Sequence, residues 1–153
     1  SLANSDPAAD YPAAVLGLGA TIKTTSRTIN ADDYFTGMFE TALEEGEIVT
    51  EVAFPVPDKA AYMKFPNPAS RYAMVGVFVA KTKAGVRVAV TGAASSVFRE
   101  TAMETALTKS FTPDAVAGIK VAAGNMNSDL HGTAEYRAHL VTVMAKRAVA
   151  AAR

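Results

Sequence analysis

The chain has 153 residues, half of them hydrophobic and a fifth charged, a composition that suits one domain or one small domain with an appendage. Fifteen Lys and Arg balance fifteen Asp and Glu, so no net charge draws the chain to nucleic acid or to an anionic membrane. It has no cysteine, which excludes disulfides, thiolate metal sites, protein-held iron–sulfur clusters and cysteine nucleophiles, and which fits a reducing, cytoplasmic setting.

The opening Ser1-Leu2-Ala3-Asn4-Ser5-Asp6-Pro7-Ala8-Ala9-Asp10 carries no start methionine, so the chain is expected to be part of a larger protein. This segment reads either as an Asx/Ser turn leading into a helix or as a ligand loop. In the second reading Ser1, Asn4 and nearby amides donate to phosphate or polyol oxygens, and Asp10 accepts from a sugar hydroxyl. A helix is predicted over residues 10–18, with Pro12 in its first turn and Gly19 ending it. Residues 20–25 and 27–30 read as short strands around Ser26, and 32–35 as a helical turn. Glu44-Glu45-Gly46 is a turn, and 47–54 is a strand with Ile48, Thr50, Val52 and Phe54 on one face. Pro55-Val56-Pro57-Asp58-Lys59 then breaks both periodicities and divides the chain into residues 1–57 and 58–153.

Beyond that boundary, residues 61–65 read as a strand and 66–71 as a loop. Residues 72–82 and 86–93 form a predicted hairpin turning at Lys83-Ala84-Gly85. Its first arm has Val75, Val77 and Val79 on one face and Met74, Phe78 and Ala80 on the other, the pattern of a central strand. Thr101 with Glu104 spells a capping box that starts a helix to residue 109. Thr112-Pro113-Asp114 starts another, to residue 123. Residues 125–132 are a loop, and Thr133 caps a long helix to residue 152. Along it Tyr136, Leu140, Val143 and Arg147 share one face.

Chemical signals are sparse. Lys64 is either a solvated edge lysine or a positive charge set near an electron-rich ring. Arg71 serves an anion or pairs with a surface acid, the structural role being favoured. Neither His131 nor His139 has a partner at metal-ligand spacing. No nucleophile elbow, GxGxxG motif or P-loop occurs, so no catalytic residue is assigned. No apolar run approaches the roughly 20 residues that span a bilayer, so membrane insertion is not expected.

Four stretches together resemble the flavin-binding medium subunit of the molybdenum hydroxylases, the carbon monoxide dehydrogenase and xanthine dehydrogenase family. The opening residues 1–10 look like that family's second flavin loop. Glu47-Ile48-Val49-Thr50-Glu51-Val52 is similar to its strand along the isoalloxazine ring. Tyr62-Met63-Lys64-Phe65, continuing through Ser70-Arg71-Tyr72-Ala73, looks like the opening of its C-terminal domain. Tyr136-Arg137 with Lys146-Arg147-Ala148 is similar to that domain's last helix. The resemblance implies an α+β fold: a remnant of the second lobe of a flavin-binding domain, then a three-stranded antiparallel sheet packed on three helices. It implies FAD in the intact protein, with Ser1 and Asn4 on the ribityl–phosphate part and Asp10 on ribityl or ribose hydroxyls. Ile48, Val49 or Thr50 would touch the ring and Lys64 would lie near it. The expected partners are a molybdopterin-binding large subunit and a small subunit with two 2Fe-2S clusters, which feed electrons through FAD to an external acceptor. One branch of the family holds an extra cluster on cysteines of this subunit, and the lack of cysteine argues against that branch. The alternative is a subunit-docking module that binds no cofactor.

Overall fold

The computed structural model describes residues 1–153. Helix α1 is Tyr11–Leu18, followed by β1 (Thr21–Thr24), β2 (Thr28–Asn30) and a short α2 (Ala31–Tyr34). A small hairpin of β3 (Phe35–Gly37) and β4 (Glu40–Thr41) leads to β5 (Val49–Ala53). Then come β6 (Lys59–Pro66), β7 (Ala73–Thr82), β8 (Gly85–Thr91), β9 (Phe98–Arg99), α3 (Thr101–Lys109), α4 (Pro113–Ala117) and α5 (Ala134–Ala151). One antiparallel sheet runs β2-β1-β5 and a second runs β6-β7-β8-β9.

The second sheet organises the molecule because both of its faces are apolar. Val75, Val77 and Val79 of β7 and Val86, Val88 and Val90 of β8 face a core closed by α3, α4 and α5, including Met103, Leu107, Val116, Val141 and Met144. On the opposite face Tyr62, Phe78 and Ala89 pack with Ala13, Val15 and Leu16 of α1 and with Ile22 of β1. That second core therefore draws on residues from both sides of Pro55–Lys59. Helix α1 is buried on several sides, at Pro12, Ala13, Val15, Leu16 and Gly17, as a helix between two layers must be. Gly17 lets it close on the sheet: a Cβ there would stand 2.6 Å from Cδ1 of Phe78. Gly19, at φ 64°, ends the helix, with its N–H on the Leu16 carbonyl and the next N–H on the Val15 carbonyl.

Several expectations are corrected. The sheet has four strands and not three, because Phe98 and Arg99 pair with Val90 and Ala89. Two residues hold too little periodicity to announce a strand. The Thr101–Glu104 capping box does not form. Glu100 is the N-cap and accepts from the Ala102 N–H, while Glu104 takes the Val88 N–H at 3.0 Å and the Arg99 guanidinium at 2.6 and 2.8 Å. Glu104 thus continues the β8 ladder where β9 runs out. Helix α4 stops at Gly118 and not at residue 123, because Ile119 and Val121 leave helical spacing to pack on the main core. In β5 the register shifts opposite Lys23 and Thr24, so Val49 and Val52 turn inward while Ile48 and Thr50 stay exposed. On α5 the buried stripe runs through Arg137, Val141, Met144 and Ala148, one residue beyond the Tyr136 stripe.

Charge is divided along the chain. Residues 1–57 hold nine acids and two bases, and residues 58–153 hold six acids and thirteen bases. Each ion pair across that boundary takes its acid from the first segment: Asp10 with Lys64, and Asp32 with Arg87 and Arg99.

Glu104→Ala leaves the buried Val88 N–H unpaired and takes from Arg99 its nearest carboxylate. Urea unfolding should register a loss of about 2–4 kcal/mol, and a loss below about 1 kcal/mol would show that the ladder does not need Glu104. Glu47 is bound by Arg27 Nε at 3.1 Å, Thr24 Oγ1 at 2.6 Å and the Glu44 N–H at 2.8 Å, which holds its carboxyl at about 2 against an ordinary 4.5. A carboxyl lowered by folding stabilises fully above its unfolded value and loses that contribution as pH falls. The thermal midpoint should therefore drop between pH 4.5 and about 2. Glu47→Gln should lower the midpoint at neutral pH and shrink that drop; an unchanged acid slope would rule the ion pair out as its source.

Candidate functional site

The opening loop is seated on one end of the four-stranded sheet, mostly by backbone. The Pro7 carbonyl accepts from the Gly92 N–H at 2.7 Å and from Thr91 Oγ1 at 3.0 Å. Thr91 Oγ1 also donates to the Ala9 carbonyl at 2.7 Å, and the Ala73 N–H donates to the Ala8 carbonyl at 3.3 Å. Beneath this end lies Arg137 of α5, 4% exposed, donating to the Met74 and Gly92 carbonyls at 2.7 and 3.1 Å and to Asp129 at 2.7 Å. The ends of β7 and β8 are thus fixed from below while they hold the loop above.

Seating the loop places Asp10 beside β6. Tyr62 and Lys64 lie two apart on β6 and so project to the same face, the one covered by α1. The Asp10 carboxylate accepts from the Tyr62 hydroxyl on Oδ1 and from Lys64 Nζ on Oδ2, the latter at 2.8 Å. Burial, reinforced by the adjacent carboxylate, pushes the Tyr62 phenol well above its usual range, so it remains a donor. A cavity of about 400 Å³ opens here, lined by Ser1, Ala9, Asp10, Tyr11, Ala14, Tyr62, Tyr72 and Phe78. Tyr72 stands at its edge, 52% exposed. The preceding loop is folded by Asn67, whose side chain accepts from the Ala69 and Ser70 N–H groups.

Of the residues singled out in the sequence, the fold gathers Ser1, Asp10 and Lys64 at this one place. Asn4 is exposed in the neighbouring turn and does not line the cavity. Ile48, Val49 and Thr50 stand apart from it. The ladder sets Ala53 opposite Thr21 and Val49 opposite Thr24, and Phe54 beyond it meets Tyr11 edge-on at 6.1 Å, so β5 points its other end away. There Ile48 is 64% exposed, and Thr50 Oγ1 donates to the Lys23 carbonyl at 3.2 Å. Sequence reasoning missed Tyr62, Tyr72, Thr91 and Gly76. A glycine inside the Val-rich run of β7 was the one available sign of a close approach, and Gly76 pairs with Lys64 where the Tyr62 hydroxyl crosses.

Residues 1–57 match the family described as the FAD binding domain in molybdopterin dehydrogenase, and residues 60–152 match the CO dehydrogenase flavoprotein C-terminal domain. The chain is 34% identical to the nicotine 6-hydroxylase medium subunit of Paenarthrobacter nicotinovorans, over 97% of this chain and 58% of that protein. It is 35% identical to the carbon monoxide dehydrogenase medium chain of Afipia carboxidovorans, over 96% of this chain and 57% of that one. A solved structure of reconstituted CO dehydrogenase from Oligotropha carboxidovorans superposes with a TM-score of 0.86 at 30% identity, covering 97% of this chain and 57% of that chain. The chain therefore spans little more than half the length of these relatives. With 60–152 matched to the flavoprotein C-terminal domain and 1–57 to the FAD-binding domain, the chain belongs to the FAD-binding medium-subunit family of the molybdenum hydroxylases, of carbon monoxide dehydrogenase type.

Proposed function

We propose that this chain forms one wall of an FAD site and that, in the complete enzyme, electrons reaching that site from two iron–sulfur clusters leave it for an external acceptor. The supporting observation is that Ser1, Ala9, Asp10 and Tyr72 line one cavity at the sheet end, with Lys64 bound to Asp10 beside it, in a chain of this family. The residues fit such a group. A carboxylate accepts from polyol hydroxyls, a lysine balances negative charge, and tyrosine faces offer a flat apolar surface. When bound, FAD supplies the electron-carrying chemistry, and the protein supplies position and electrostatics.

In this reading Asp10 holds ribityl or ribose hydroxyls, and Ser1 and Asn4 donate to the ribityl–phosphate part. Lys64 stabilises negative charge that develops near the ring. Ile48, Val49 and Thr50 are assigned to the ring as the contacts β5 offers; they stand about 13–20 Å along that strand from its Phe54 end, at roughly 3.3 Å per residue. A molybdopterin-binding large subunit and a 2Fe-2S small subunit complete the electron path, in the cytoplasm. No helix of this chain is long and apolar enough to cross a membrane.

The cavity is open and takes only part of a dinucleotide, so the remaining contacts must come from elsewhere in the full-length protein. By itself the chain should bind FAD with a Kd weaker than about 1 µM in a fluorescence titration, because the entropic cost of association is undiminished while the contacts are fewer. Submicromolar binding would refute a shared site. In the full-length subunit, Asp10→Ala should weaken FAD retention about 10-fold, the worth of one hydrogen-bonded charged group. Full retention would reject the FAD wall and leave the cofactor-free docking module.

A further inference from the structure

We infer that Tyr62 is a positioning residue of the cofactor site: together with Lys64 it fixes the Asp10 carboxylate so that its remaining lone pairs are presented to the cavity. The inference rests on the FAD reading and goes beyond it, since neither the sequence pattern nor the comparisons assign Tyr62 any part.

Asp10 needs to be held. It is the N-cap residue of α1, yet its side chain makes no capping hydrogen bond, and it is exposed. A free aspartate in that place rotates, and a ligand would have to order it at an entropic cost. Tyr62 and Lys64 remove the freedom by taking one oxygen each. An ionised carboxylate offers about four lone-pair sites, so this leaves roughly two for hydroxyls of a bound polyol.

The backbone is built around the same contact. Lys64 pairs with Gly76 across β6 and β7, and a Cβ on Gly76 would collide with the Tyr62 hydroxyl and press on Thr91 Cγ2, the methyl of the residue that anchors the loop. The absence of a side chain at 76 opens the path from Tyr62 to Asp10. The Tyr62 ring is also part of the second core, and that packing is separable from the hydroxyl. Burial and the neighbouring carboxylate keep the phenol protonated, so the clamp persists across the physiological range.

The test uses the full-length subunit carrying Tyr62→Phe, which keeps the ring and deletes the hydroxyl. FAD dissociation constants, visible circular dichroism of bound FAD and thermal midpoints of the cofactor-free protein are compared with wild type and Asp10→Ala. Tyr62→Phe should weaken FAD about 5- to 10-fold and alter the dichroism, with a small change in the cofactor-free midpoint. In the Asp10→Ala background it should add little, because the group it positions is gone. If Tyr62→Phe binds FAD as wild type while Asp10→Ala does not, the role of Tyr62 is overturned and the FAD wall stands. If the loss of FAD merely tracks the loss of thermal stability, Tyr62 is structural and the inference fails. If neither variant changes FAD binding, the site itself is wrong and the inference fails with it.

Discussion

A sheet with two apolar faces has to be covered twice, and the rest of the molecule follows from how that is done. Strand β7 offers Val75, Val77 and Val79 to one side and Phe78 to the other, and burying each such side chain is worth about 1.5–3 kcal/mol. Three C-terminal helices cover the first face. The second is covered by an element from outside the C-terminal segment, α1, close enough to need Gly17 against Phe78. Because α1 follows directly on the opening loop, covering this face also carries the loop to the sheet end. The Pro7, Ala8 and Ala9 carbonyls then meet Gly92, Ala73 and Thr91. The position of the site is thus a consequence of core burial as much as of any polar contact within it.

Electrostatics adds direction to this packing. The acid-rich first segment and the base-rich second one meet through Asp32, between Arg87 and Arg99, and through Asp10, beside Lys64. These pairs are partly exposed, and such pairs contribute little net stability. Their effect is on register: Arg87 also donates to the Leu16 carbonyl at 2.9 Å, so one side chain ties the end of α1, α2 and β8 together. At the far end of α1, Asp10 plays the matching part with β6. The helix is located at both ends by charged side chains and in its middle by Phe78.

Where neighbours in sequence are neighbours in space, the residues announce the structure. The alternation in β7, the Lys83-Ala84-Gly85 turn, Pro12 and Gly19 around α1 and Thr133 before α5 are all local, and the elements lie where they point. The family resemblance carried the order of the elements. What could not be read depends on distant partners. Tyr62 is 52 residues from Asp10, and Glu104 is 16 from Val88. Nothing in Thr101-Ala102-Met103-Glu104 reveals that β9 is too short and that Glu104 is needed to finish a ladder. The inward turn of Val49 and Val52 hides for the same reason: it comes from a register shift against Lys23 and Thr24, a property of two strands and not of one.

The two halves of the site are held by different means, and this bears on what each tolerates. The loop is located largely by main-chain groups, with the Thr91 hydroxyl set between the Pro7 and Ala9 carbonyls and the Asp6 carboxylate accepting from the Ala8 N–H. The Asp10 carboxylate is held only by side chains, Tyr62 and Lys64, across a strand that must carry glycine at 76. Loss of the Tyr62 hydroxyl or of the Lys64 amine frees that carboxylate while leaving the Tyr62 ring in the second core.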